Sequence, residues 1–197
     1  MRASVGEVLI ENNVFGPGNG PGGANRPAVQ IGTQHGPQPK NTFPETRDVV
    51  IRNNIFAGLR GDAALGVSNS EWAWIYNNVF YANSGSKTRS VIMLRGNKYT
   101  PNNIHVVNNV FDSNMPTKNG GDLYWLRDTL MPEAFQHDYN HYSDNVLSSS
   151  VDYLGEVHGQ YDLPAGFDNP QVPPGFSVPS SLGTLEAIRA GYLLSLI

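Results

Sequence analysis

Two arginines, Arg95 in SVIMLRG (90–96) and Arg127 in GDLYWLRD (121–128), fall at equivalent places in two similar apolar segments. Guanidinium groups at matched places can clamp one carboxylate bidentately and so acidify the proton on the carbon beside it. Asp122, Asp128 and Lys98 stand near them in the sequence and could join such a site. The competing reading is an exposed Arg–Asp ladder that contributes little. A second group is His137, Asp138, Tyr139, Asn140, His141 and Tyr142. Imidazole titrates near neutral pH, so His137, or Asp138 beside it, could move a proton. Its competitor is a half-solvated strand whose histidine bonds to a backbone carbonyl. A third group is aromatic: Trp72, Trp74, Tyr76, Tyr81, Tyr99, Tyr124 and Trp125. Aromatic faces stack on the apolar faces of sugar rings, so the outward members, Trp74, Tyr76 and Tyr124 foremost, could form binding subsites while the others pack.

The elements that would position these groups are written as a repeated phrase. VLIENNVF (8–15), VVIRNNIF (49–56), WIYNNVF (74–80) and VVNNVF (106–111) share it, and FQHDYNHY (135–142) is a degenerate fifth member. Aligning Asn13, Asn54, Asn78, Asn109 and Asn140 puts Val8, Val49, Ala73, Ile104 and Phe135 in one column. Ile10, Ile51, Ile75, Val106 and His137 fill another two residues on, the spacing of a half-buried strand. The next column, Glu11, Arg52, Tyr76, Val107 and Asp138, is mixed and should face outward. His137 therefore replaces an aliphatic core residue. Asparagine tolerates left-handed backbone, so one Asn of each pair is expected to make a sharp corner. Its amide could bond to the same Asn in the neighbouring repeat, and the Phe after each corner could stack on its counterparts. Each phrase is followed by a second candidate strand: 27–33, 63–68, 90–96 and 121–128. Unequal intervals between constant phrases predict coils of a β-solenoid with loops of varying length; the competitor is a set of Asn-rich antiparallel hairpins.

Composition agrees with an all-β chain. The 197 residues include 21 Gly and 14 Pro, which favour turns over helices. A net charge of −4 with scattered Lys and Arg gives no footprint for nucleic acid or for an anionic membrane surface. With no cysteine there is neither a disulfide framework nor a thiolate metal site. Asp and Asn oxygens in the loops could bind Ca²⁺. No apolar run has the length of a membrane helix, and the first residues lack a signal-peptide core.

The V-x-I-x-N-N-x-F phrases resemble the repeats of right-handed parallel β-helix proteins, the pectate-lyase-like superfamily, over roughly residues 5–145. The resemblance implies a right-handed parallel β-helix of about five coils, about 25 Å tall at the usual strand spacing. It also implies an outer groove along one sheet for a polysaccharide. In such lyases an adjacent Arg or Lys takes the proton; here the expected roles are Arg127 and Arg95 binding or activating the carboxylate, with His137 or Asp138 handling the proton. The signature words of the best-known lyases, polygalacturonases and pectin esterases are absent from this chain.

The expected organisation is a β-helix domain over 1–160 and an extended Pro-rich arm with a short capping helix over 161–197, the helix starting at Ser181 or Thr184. The first phrase starts at Val8 without a preceding cap, so the first coil is expected either to continue a longer solenoid or to pair with a second copy. The leading functional expectation is an exported protein that cleaves an acidic polysaccharide as a lyase or hydrolase. Its competitor is a non-catalytic solenoid such as a tailspike, adhesin or surface-protein fragment.

Overall fold

The computed structural model describes residues 7–15, 27–32, 44–57, 60–81, 87–96, 99–111, 123–127, 135–143 and 156–163. Among them every element is a strand and every strand pairing is parallel. Sheet A holds β1 (Val8–Glu11), β4 (Thr46–Arg52), β7 (Ser70–Tyr76), β10 (Asn102–Val107) and β13 (Phe135–Asp138), neighbours in that order. Sheet B runs β2 (Val14–Phe15), β5 (Ile55–Ala57), β8 (Val79–Tyr81), β11 (Val110–Phe111), β14 (His141–Ser143) and β15 (Gln160–Leu163). Sheet C runs β3 (Val29–Ile31), β6 (Arg60–Ser68), β9 (Lys87–Arg95) and β12 (Tyr124–Arg127). The chain thus passes from A to B to C repeatedly, each visit laying a strand beside the previous one. That route is compatible with a β-helix-like solenoid. Parallel pairing throughout excludes antiparallel hairpins as the source of the repeated phrase.

Register follows the sequence columns. Val8, Val49, Ala73, Ile104 and Phe135 are successive partners, as are Ile10, Ile51, Ile75, Val106 and His137. Val49, Ile51, Ala73, Ile75, Ile104 and Val106 are fully buried, the inward half of the period-two alternation. Sheet C contributes Leu65, Val67, Ile92 and Leu94 to the same core.

The two asparagines of each pair divide the work. Asn12, Asn53, Asn77 and Asn108 adopt positive φ between 53° and 59°, with Tyr139 at 56° in the fifth phrase. These are the corners between sheets A and B. The second asparagines carry the ladder: the backbone N–H of Asn13, Asn54, Asn78 and Asn109 donates to Oδ1 of the next, at 3.0, 3.0, 3.0 and 2.8 Å. Their Nδ2 groups also donate to that oxygen and to backbone carbonyls such as Ile51 O and Tyr76 O for Asn78. Asn54, Asn78, Asn109 and Asn140 are wholly buried, and these bonds satisfy their amides there. Behind the ladder Phe15, Phe56, Phe80, Phe111 and Tyr142 stack in series at 4.8, 4.8, 5.0 and 5.2 Å, close to the spacing of the strands that carry them.

A second left-handed column, absent from the sequence reading, enters sheet A: Glu7, Asp48, Trp72 and Asn103 all have φ between 53° and 57°. The pairing skips these residues on both sides, since Arg47 pairs with Glu71 and Val49 with Ala73. β15 adds to sheet B across the boundary expected at residue 160, with a register irregularity against β14. The expected Pro-rich arm beyond Leu163 and its terminal helix lie outside the described residues.

Candidate functional site

The outer face of sheet A gathers the exposed aromatic chemistry. Inward columns alternate with an outward one in which Leu9, Val50, Trp74, His105 and Gln136 are successive partners. Trp74 is 42% exposed and its ring lies flat on the His105 imidazole, centroids 4.0 Å apart and planes 9° from parallel. Partial burial under this neighbour holds His105 below the ordinary histidine range, partly offset by a hydrogen bond with Gln136. Trp72, two residues before Trp74 in β7, is 45% exposed despite its positive φ.

The adjoining outward column is polar except at Val107. Arg52 donates through Nε to Glu11 at 2.7 Å and through one terminal nitrogen to the Tyr76 hydroxyl at 3.0 Å. Arg47 pairs similarly with Glu71 at 3.0 Å nearer the entry of the strands. The same column ends at Asp138 on β13. One oxygen of Asp138 accepts from the backbone N–H of Tyr139 and of His158, at 2.9 and 2.8 Å. The other lies 2.9 Å from His158 Nδ1. Partial burial works against the ionised carboxyl, but these bonds outweigh it and hold Asp138 below the usual carboxylate range. Tyr139 stacks on His158 at 4.4 Å, with planes 4° from parallel.

Beneath that surface, Glu156 closes the ladder. Its side chain is fully buried, and Oε2 accepts the Asn140 backbone N–H at 3.2 Å, the place an asparagine Oδ1 takes in every earlier repeat. Oε1 accepts Asn140 Nδ2 at 2.7 Å and the Tyr142 hydroxyl, and lies 2.7 Å from His137 Nδ1. Burial, with Tyr124 and Glu156 alongside, pushes the Tyr142 phenol far above its ordinary range, so it stays a donor. Tyr124 and Tyr142 hydroxyls are 3.1 Å apart. His137 Nε2 is buried without a hydrogen-bond partner.

The sequence-predicted residues separate accordingly. Trp74, Tyr76 and Asp138 share the outer face of sheet A. His137 occupies its core column with a side chain 3% exposed, and its partner is the Glu156 carboxylate instead of a backbone carbonyl. Tyr124 is buried edge-on against Phe111 and Phe135, so it packs and does not face outward. Arg95 and Arg127 are register partners at the ends of β9 and β12. Those ends lead into sheet A, since the Arg95 carbonyl accepts the N–H of Asn69 just before β7, whereas His137 and Asp138 end a sheet A strand at the far corner. The topology therefore does not bring the arginine pair to His137 and Asp138. Asp122, Asp128 and Lys98 lie outside the described residues. Glu156, His158 and His105 were missed. Only His105 had a signal, its outward parity between core residues Ile104 and Val106. Among the described residues no three His, Asp or Glu side chains converge as a metal site. The chain matches no family model, no curated protein and no solved structure.

Proposed function

We propose that the chain is a carbohydrate-active right-handed parallel β-helix of about five coils, of the pectate-lyase-like kind, which holds an acidic polysaccharide along the outer face of sheet A and cleaves it. The observation that carries this reading is the exposed Trp74 ring stacked on His105. Such a flat surface suits the apolar face of a sugar ring. Trp72, two residues before Trp74 in β7, adds weight: a bulky residue at positive φ costs about 1–2 kcal/mol, and its side chain is left exposed. From Trp74 to Asp138 is two strands across and two residues on from the Gln136 column, about 12 Å, room for two or three sugar units. The Arg95–Arg127 pair at the entry of sheet A would favour an anionic chain. On this reading the protein acts outside the cytoplasm, where such polymers lie.

The test is a panel of pectate, alginate, hyaluronan, chondroitin and neutral glycans, with and without Ca²⁺, read by unsaturated-uronate absorbance, reducing-end release and binding calorimetry. Trp74→Ala is expected to weaken binding of the preferred glycan at least about tenfold without unfolding the protein. Equal affinity of wild type and Trp74→Ala for every glycan would sink the sheet A assignment. The second reading, a glycan-binding or structural solenoid without turnover, draws on the Asn ladder and Glu156, whose positioned polar groups serve the core. Binding without cleavage would select it.

A further inference from the structure

His158 stands out because it is exposed and yet held from three sides. Its side chain is 52% exposed, while Nδ1 is fixed by Asp138 Oδ2, its backbone N–H by Asp138 Oδ1, and its ring by the parallel Tyr139. Two residues earlier, Glu156 is buried and bound to Asn140, Tyr142 and His137, so the tripeptide Glu156-Val157-His158 is anchored in the core at one end. An ordinary surface ion pair has neither anchor nor stack. A neutral imidazole that donates Nδ1–H to a carboxylate keeps its lone pair on Nε2, aimed away from that partner.

Resting on the polysaccharide-cleavage reading above, we infer that His158 is the catalytic base for β-elimination from a uronate-containing glycan, with Asp138 as its positioning residue. Nε2 takes the proton from the carbon α to the uronate carboxylate. The C–H electron pair becomes the new C=C bond, and the bond from the β carbon to the glycosidic oxygen breaks. That oxygen leaves with its electron pair and takes the proton back from the imidazolium, so His158 ends neutral and no co-reactant is used. Elimination fits this face better than hydrolysis, which needs two working carboxyl groups. In the outward column that ends at His158's partner, Glu11 is held by Arg52 and Asp138 by His158, and the exposed carboxylates Glu7 and Asp48 lie at the opposite, entry end of sheet A.

The test compares wild type, His158→Gln and Asp138→Asn on pectate, alginate, hyaluronan and chondroitin across pH. Unsaturated-uronate absorbance, reducing ends, binding calorimetry and circular dichroism are followed together. His158→Gln should fold and bind as wild type while kcat falls about 10²- to 10⁴-fold with little change in KM. Asp138→Asn no longer accepts the Nδ1–H with a carboxylate, so kcat should fall about tenfold or more with KM little changed, and Asp138→Glu should restore part of the loss; a purely structural aspartate would lower stability without that split between kcat and KM. Elimination by His158→Gln at the wild-type rate overturns the assignment and leaves the cleavage reading standing. Reducing ends without new absorbance overturn elimination but keep cleavage. A folded wild type inactive on all four polymers overturns both.

Discussion

Glu156 shows how one side chain can end a repeat. An asparagine ladder is polar along its axis, every amide N–H pointing to the next Oδ1, so the last member needs an acceptor that the repeat itself no longer supplies. The Glu156 carboxylate provides it and collects Tyr142 and His137 as well. Removing one partner from such a buried set leaves the others desolvated and unpaired, which costs more than the net value of the bonds. Glu156→Ala should therefore lower stability by about 3 kcal/mol in urea unfolding. An unchanged urea midpoint would mean that the carboxylate does not cap the ladder. His105 sets a pH dependence of the opposite kind from a salt-bridged histidine. Its folded pKa lies below the ordinary value, so as pH falls through about 6.5 the unfolded chain binds a proton that the folded chain refuses. Stability from this site is complete above that pH and declines below it. His105→Gln should flatten the decline between about pH 6.5 and 5 in thermal melts.

At the level of the element, the Asn-Asn corner separates two jobs that a single residue could not do together. The first asparagine must accept left-handed backbone at the surface, and the second must bury an amide with all its groups bonded. The two positions should thus respond differently to substitution. Asn77→Gly relieves the strain and should change stability by less than about 1 kcal/mol. Asn78→Ala removes the acceptor for the Asn54 N–H and the donor to Ile51 O and Tyr76 O. It should cost about 2–4 kcal/mol by urea titration, and equal effects at both positions would contradict the division of labour. The existence and register of the strands in sheets A and C were legible because period-two burial and the constant Asn position are local facts of the chain. The left-handed entry column was not, because Glu7, Asp48, Trp72 and Asn103 have no chemistry in common; only the strand pairing that skips them reveals the shared conformation.

Across the whole molecule, stability accumulates from one strand layer to the next. Each layer is held by its neighbours through the three sheets, the ladder and the aromatic stack, so the interior layers have support on both sides. Phe80 lies between Phe56 and Phe111, and Phe80→Ala should cost about 3–5 kcal/mol. Phe15, stacked among the described residues on Phe56 alone and partly buried, should cost clearly less when changed to Ala, and amide exchange should be slowest in β7 and β10. Similar losses for Phe15 and Phe80 would contradict layer-by-layer support. The sequence by itself determined the strand phrases, the inward columns, the outward column from Glu11 to Asp138 and the Arg95–Arg127 match, since all follow from alternation along one strand and from copies of one phrase. Only the tertiary structure decided that Tyr124 packs inward, that His137 serves a buried carboxylate, and that Glu156 and His158 come back to the end of sheet A. Those contacts join segments of different repeats. No periodicity encodes which distant side chain will fill the last place in a ladder, because that is chosen by the unmet hydrogen bonds and open space that folding creates.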